Sequence, residues 1–485
     1  MLHKDDQLLK EQANEQIREH GSLVQRDPYR LHYHVMPPVG LLNDPNGLVY
    51  FNQLYHLFFQ WNPFQTDHGS KFWAHMTSKD LIHWEWQPIA LAPSDPFDKN
   101  GCYSGSAIVH ENKLYLFYTG NVRDQAGNRE SNQCLAISED GITFEKKGPL
   151  FTVPEGYTPH FRDPKVWKEN DMWYLVIGAQ TEHLQGRALL YKSQNITEWQ
   201  LVGEISDKEK PLTDFGYMWE CPDLLLFDNQ DVLLFSPQGI EPQAYQYHNI
   251  YQTGYLSGVL DRQTANFNHQ EFIELDNGFD FYAPQTTVDG QGRRIMFGWM
   301  GLPETDEAFH PTKDYRWIHA MTIPRELTLK QGILYQQPVK ELTQLRKELL
   351  LNQQQKLVDE VVTLHEIHHD ALEFIFQVHA FKGKSLEVSF SEHTKLVFNK
   401  EMQTLTLHRN SIKSYQSEAR TTDLQELTEL RVYLDASSIE VFVNQGEKVF
   451  SARLFDAIPY HELTLQVNGT LDYHLQAWSL KNVMK

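Results

Sequence analysis

Five short apolar and aromatic runs recur along the chain at almost constant spacing, and this repeat limits the possible folds more than any other feature. They are Leu54-Tyr55-His56-Leu57-Phe58-Phe59, Leu114-Tyr115-Leu116-Phe117-Tyr118, Trp173-Tyr174-Leu175-Val176-Ile177, Val232-Leu233-Leu234-Phe235 and Arg294-Ile295-Met296-Phe297. Measured at Tyr55, Tyr115, Tyr174, Leu233 and Ile295, the steps are 60, 59, 59 and 62 residues. Such runs, separated by Gly, Pro, Asn and Asp turns, read as strands. A second element keeps the same phase. Ser78-Lys79-Asp80 precedes Trp84, Ser138-Glu139-Asp140 precedes Phe144, and Ser193-Gln194-Asn195 precedes Trp199, each aromatic lying six residues after its Ser. A β-rich unit repeated five times predicts a five-bladed β-propeller.

The flanks differ. Leu8, Leu9, Ala13 and Ile17 are spaced for one helix face, which predicts a helix over Asp5 to His20 with Gly21 as its C-cap. After Gln336 the repeat fades, and Val339 to Leu351 reads as a helical linker. Alternating runs such as Leu430 to Leu434 and Ile439 to Val443 then predict a β-sandwich. The expected organisation is all-β: an N-terminal helical arm (1–30), a propeller catalytic domain (31–337), a helical linker (338–355) and a C-terminal sandwich (356–485).

Composition excludes several functions. Lys and Arg number 43 against 64 Asp and Glu, a net charge of −21. Such a chain repels nucleic-acid phosphates and anionic lipid. Its three cysteines, Cys102, Cys134 and Cys221, form no CxxC pair or disulfide framework, which fits a reducing compartment. The N-terminus lacks the apolar core of a signal peptide, and no run reaches the length of a membrane span. A cytoplasmic protein with no nucleic-acid or membrane partner is expected. The oligomeric state stays open.

Polar, tightly turning motifs lie about eleven residues before each marker strand. They are Asn43-Asp44-Pro45-Asn46-Gly47, Tyr103-Ser104-Gly105-Ser106, Arg162-Asp163-Pro164, Glu220-Cys221-Pro222-Asp223 and Tyr282-Ala283-Pro284-Gln285. From Asp44 through Ser104, Asp163, Glu220 and Pro284 the steps are 60, 59, 57 and 64. Equivalent positions on five blades converge on the propeller axis, so Asp44, Asp163 and Glu220 should meet there. Crowded carboxylates push one another's pKa values apart, which suits an ionised nucleophile beside a protonated general acid, as glycoside hydrolysis needs. The same motifs could merely cap turns. Calcium could accept oxygen ligands of this kind, but no EF-hand spacing occurs, and the 23 His form no HExxH pair. No metal is assigned.

The first four of these motifs, with Gln60, Asn62-Pro63, Phe161, Lys165 and Pro324-Arg325-Glu326-Leu327, resemble those of the invertase-like glycoside hydrolases of family 32. Val432-Tyr433-Leu434-Asp435 through Glu440-Val441-Phe442 resembles that family's C-terminal sandwich. The resemblance spans nearly everything after Leu31. It implies a propeller plus sandwich, no cofactor, and a retaining β-fructofuranosidase with Asp44 as nucleophile and Glu220 as general acid and base. By the same resemblance, Asp163 stabilises the transition state, and Asn43, Gln60, Trp73, Tyr103, Ser104, Arg162 and Trp299 form the fructose subsite.

One position departs from the family pattern. Several relatives carry Trp before Gly in the loop after the Gln60 strand, where this chain has His68 before Gly69. A cytoplasmic member of the family is expected to act on a small imported sugar, which points to sucrose 6-phosphate, and to sucrose as well. Intracellular cleavage of unphosphorylated sucrose or fructo-oligosaccharides is one alternative, and a non-catalytic sugar-binding propeller another. A phosphorylated substrate calls for a local basic group near the leaving-group subsite, with Lys71, Arg129, Lys313 and Arg316 as candidates.

Overall fold

The computed structural model describes residues 4–212, 215–367, 369–455 and 462–484. Its only α-helix among these residues, Lys4–Val24, precedes a chain built almost wholly of strands. The helix runs through Gly21, which does not take the left-handed conformation of a C-cap. Val24 is fully buried, and this apolar anchor one turn on outweighs the preference of Gly for a helix end. Ala13 is also fully buried, and Leu9 and Ile17 pack against the core beneath.

Five sheets follow, each built on four antiparallel strands, and the first blade carries in addition a short parallel strand at its edge. Their first strands are Gly40–Phe51, Cys102–His110, Tyr157–Glu169, Met218–Phe227 and Tyr282–Val288. These five touch one another in a closed ring, so they line the axis of a five-bladed propeller. The marker residues Tyr55, Tyr115, Tyr174, Leu233 and Ile295 all fall on the second strand of their blade. The repeated Ser turns are real as well. Ser78 and Ser138 hydroxyls donate to Asp80 and Asp140 at 3.1 and 2.9 Å, and Ser193 donates to Asn195 at 3.3 Å. The ring closes where Trp317–Ile318 pairs in parallel with Gly40 and Leu41 of the first blade.

Every inner strand is interrupted at the same place. Register shifts fall between Leu42 and Pro45, Tyr103 and Gly105, Arg162 and Lys165, Glu220 and Asp223, and Tyr282 and Gln285. Four of these bulges contain or adjoin a proline (Pro45, Pro164, Pro222, Pro284), which has no N–H to give the ladder. The fifth has Gly105, where a Cβ would lie 1.9 Å from the Phe117 carbonyl oxygen. Bulges turn side chains out of the normal alternation. At three of them a non-glycine residue takes positive φ: Asp163 at 71°, Cys221 at 48° and Ala283 at 49°.

The expected helical linker over 338–355 is not formed. Only Lys340–Leu345 winds, as a 3-10 turn that buries Leu342 and Leu345. From Arg346 to Val358 the chain is a strand paired with Leu463–Leu480. The leucine spacing that suggested a helix ends in Leu349, which is 51% exposed, so sheet pairing decides this segment's state. Beyond it a β-sandwich forms. Two 18-residue strands, Leu372–Ser389 and Leu463–Leu480, pair along their whole length and carry the other strands on their free edges. Phe374, Phe376, Leu386, Leu430, Val441, Leu465 and Leu475 fill its core.

Propeller and sandwich are joined by buried charges. Arg325 donates to Asp276 and Gln336 on the propeller side at 3.1 and 2.8 Å, and to Glu440 and Ser451 of the sandwich at 2.7 and 2.6 Å. His34, entering the first blade, lies 2.8 Å from Asp435 and 3.1 Å from Glu440.

Candidate active site

The bulges bring Asp44, Ser104, Asp163 and Glu220 from four inner strands to one end of the ring. Asp44 is held on both oxygens. Asn43 Nδ2 donates to Oδ1 at 3.0 Å, and Ser104 Oγ donates to Oδ2 at 2.5 Å. Gln60, from the second strand of the first blade, ties this pair together. Its Oε1 accepts from Asn43 at 2.7 Å, and its Nε2 donates to Ser104 at 2.7 Å. Asn43, Gln60 and Ser104 are all buried, so each can hold only one arrangement.

Cys221 links the three acids. Its backbone N–H donates to Asp163 Oδ2 at 2.9 Å, and its Sγ lies 3.8 Å from Asp44 Oδ2. Glu220, the preceding residue, is surrounded by donors. Arg162 Nε and Nη2 reach its Oε1 at 2.9 and 2.6 Å, while Gln238 Nε2 and Tyr282 Oη reach Oε2 at 2.8 and 2.7 Å. Tyr282 Oη is also 3.4 Å from the Ser236 carbonyl, so it has a second acceptor when Glu220 carries a proton.

Electrostatics follow from this crowding. Burial pushes Asp44 above the usual Asp range; Ser104 opposes that shift, and Glu220 adds to it. Burial raises Asp163 to about 7 with the help of Glu220 and Asp44, against the pull of Arg162. Burial works against the charge on Arg162, but Glu220 and Asp163 outweigh it and keep the guanidinium firmly charged. The cluster therefore holds a proton close to neutrality at Asp163, and Asp44 is itself raised, its hydrogen bonds from Ser104 and Asn43 only partly offsetting burial. Displacement at an acetal carbon requires an ionised carboxylate and a proton donor on the leaving oxygen, and the acids gathered here can supply both.

The remaining expected residues divide. Tyr103 and Arg162 sit at the site beside Ser104 and Asp163. Trp299 lies against Tyr282, with ring centroids 6.2 Å apart. Trp73 is fully buried and reaches the site only by donating to the Tyr103 carbonyl at 3.1 Å. Lys71 is 4% exposed, donates to Asn43 Oδ1 at 2.6 Å, and is lowered to about 8 by burial. It also meets His68 Nδ1 at 3.0 Å. His68 passes the chain on to Glu307 at 2.9 Å, and Glu307 to His319 at 2.8 Å. The family's Trp position is thus occupied by a hydrogen-bonding ring that lies 5.8 Å from Trp299. Arg316 is turned away toward His20 of the N-terminal helix, at 3.1 Å. Lys313 lies in the nearby 3-10 turn Pro311–Tyr315.

Sequence reasoning missed Gln238, His160, Glu307 and His319, which lie in no repeated motif. Tyr282 was within reach, since it stands in the fifth phase motif. Among the described residues, no three His, Cys, Asp or Glu side chains gather as a metal site.

Carboxylates gathered at the axis of a five-bladed propeller, one of them wrapped in donors, define a glycoside hydrolase. The chain belongs to glycoside hydrolase family 32: residues 34–338 match the family's N-terminal domain and residues 337–479 its C-terminal domain. It is 50% identical to the sucrose-6-phosphate hydrolase of Bacillus subtilis over 98% of this chain and 99% of that one. A sucrose-6-phosphate hydrolase from Lactobacillus gasseri superposes with a TM-score of 0.87 at 30% identity, covering 97% of both chains. A Bombyx mori family 32 β-fructofuranosidase, solved as an Asp-to-Ala variant in complex with sucrose, superposes with a TM-score of 0.84 at 34% identity, covering 98% of both.

Proposed function

We propose that this protein hydrolyses sucrose 6-phosphate to fructose and glucose 6-phosphate, with sucrose as a second substrate. Asp44 attacks the anomeric carbon of the fructosyl group while Glu220 gives its proton to the glycosidic oxygen, releasing glucose 6-phosphate. Glu220, now ionised, takes a proton from water, which attacks the same carbon and frees Asp44. Two displacements retain the configuration. Asp163 accepts hydrogen bonds from fructosyl hydroxyls and steadies the charge that develops on the ring. Asn43, Gln60, Ser104 and Tyr103 position that ring, with Trp299 against one side. Tyr282 and Arg162 hold Glu220 in place.

The observation that carries this reading is the convergence of Asp44, Asp163 and Glu220 through equivalent bulges, linked by Cys221. The phosphorylated substrate is supported by the sucrose-6-phosphate hydrolases that match the chain over nearly its full length. The Bombyx mori complex supports sucrose itself. Asp44→Asn and Glu220→Gln should each lower kcat/KM by roughly 10²- to 10⁴-fold with the fold unchanged. Near-normal turnover in either variant would defeat the mechanism, and an inverted first-formed fructose anomer would defeat the double displacement.

A further inference from the structure

Beside Glu220 lies a run of cations that the acids of the site do not use up. Arg162 already commits Nε and Nη2 to Glu220, and its Nη1 points to His160 Nδ1 at 3.1 Å. Arg129 Nη1 approaches the same nitrogen from the other side at 3.3 Å. An imidazole nitrogen facing two guanidiniums must be an acceptor, so the His160 proton sits on Nε2. Burial, reinforced by the two arginines, holds this imidazole neutral, lowering it to about 4.

Arg129 is half-buried and opposes Arg123 directly across the hairpin of the second blade. Like charges facing each other across strands destabilise a hairpin. No carboxylate of the described residues pairs with either arginine. Asp124, in the hairpin's turn, is spent on that turn, accepting from Ala126 N, Asn128 N and Asn128 Nδ2, each at 2.8 Å. In a chain of net charge −21, unpaired arginines next to the proposed acid and base call for an external anion.

We propose that Arg129, with Arg123 and the Nε2–H of His160, forms the subsite for the 6-phosphate of the leaving glucose. This rests on the reading of sucrose 6-phosphate as substrate, and it names the residues that recognise the phosphate. A phosphate carries close to two negative charges and several acceptor oxygens, which a guanidinium fork binds in bidentate fashion. The placement suits the chemistry. Glu220 protonates the bridging oxygen on one side of the glucose, and the arginine pair lies outward of Glu220 by way of Arg162 and His160. Of the four basic residues singled out in the sequence, Lys71 is buried on Asn43, Arg316 turns toward His20, Lys313 lies in the 3-10 turn Pro311–Tyr315, and Arg129 alone joins the hydrogen-bonded chain to Glu220.

The test compares kcat/KM for sucrose 6-phosphate and for sucrose in the unaltered protein, Arg129→Gln, Arg129→Lys and Arg123→Gln. The unaltered protein should favour the phosphorylated sugar. Arg129→Gln should cut the ratio of the two values by about 10- to 100-fold, chiefly through KM, the loss of a charge-assisted contact. Arg129→Lys keeps the charge without the fork and should fall between, and it reads the same ratio should the glutamine variant fail to fold. A ratio unchanged in all variants overturns the subsite, as does a parallel fall for both sugars, which would make Arg129 a support for Arg162. An unaltered protein indifferent to phosphate would instead remove the substrate reading on which the subsite stands.

Discussion

Asp163 is an acid whose ionisation the fold opposes. Burial raises it to about 7 from an ordinary 3.8, with Glu220 and Asp44 adding repulsion. The folded chain therefore binds this proton more tightly than the unfolded chain does. The resulting penalty is absent below the unfolded value, grows as pH rises through the interval to about 7, and is constant above it. Asp163→Asn should then melt higher than the parent at pH 8 and show little gain at pH 4, while hydrolysis falls roughly 10²- to 10³-fold. A variant that melts lower at pH 8 contradicts the linkage. Asp44 gives a second expectation. The 2.5 Å hydrogen bond from Ser104 favours the ionised form and so opposes the effect of burial. Ser104→Ala should move the acid limb of the kcat/KM profile to higher pH, because the nucleophile must be ionised to attack; an unmoved limb would detach Ser104 from that role. At this scale the sequence revealed much, since Asp44, Ser104, Asp163 and Glu220 share one phase of the repeat. The chain from Lys71 through His68 to Glu307 and His319 was hidden. Its members lie up to 251 residues apart and belong to no repeated motif.

The inner strand is the element that turns a repeat into a site. A regular strand would send Asp163 and its neighbours alternately up and down, whereas the bulge lets successive residues serve different ends. Asp163 faces the acids, and two residues on, Lys165 pairs with Asp223 at 2.9 Å and donates to the Thr286 carbonyl at 2.6 Å. Asp223 in turn accepts from Thr286 N and Oγ1 at 3.0 and 2.8 Å. The third, fourth and fifth blades are thus pinned beneath the site by side chains of the very motifs that carry its chemistry. Lys165→Met would leave the fully buried Asp223 carboxylate without its cation, which should cost about 3–5 kcal/mol in denaturant unfolding. Adding Asp223→Leu should recover part of that loss; a single variant as stable as the parent would show that the backbone donors of Asp223 suffice. Strands with strong apolar runs were legible one by one, as Leu233 and Ile295 show. The strand Arg346–Val358 was not, because its polar, leucine-spaced sequence suits a helix, and only the partner strand Leu463–Leu480 determines otherwise.

For the molecule as a whole, the motifs without chemistry prove to be the joints. Arg325, fully buried, satisfies Asp276 and Glu440 at once, and Asp435 receives His32 and His34 from the segment that leads into the first blade. A sandwich following a propeller could be read from strand patterns, but no local pattern tells that Arg325 and Glu440 meet across 115 residues. These joints respond to pH. Burial alone would lower His32, yet its contacts with Asp370 and Asp435 at 3.4 and 2.7 Å raise it to about 10. His34 is likewise raised, Asp435 and Glu440 outweighing burial. A histidine whose folded pKa exceeds its unfolded 6.5 lends stability that is complete below 6.5 and fades as pH climbs toward the folded value. The melting temperature should accordingly fall between pH 6.5 and about 10, the range over which His32 loses its extra proton. His32→Gln keeps a hydrogen-bond donor for Asp435 but removes the titrating charge. It should lower stability at pH 6.5 and flatten the decline above it, with kcat of the folded protein preserved because the acids at the ring axis are untouched. A decline just as steep in the variant would move the alkaline weakness away from this joint and onto other groups of the fold.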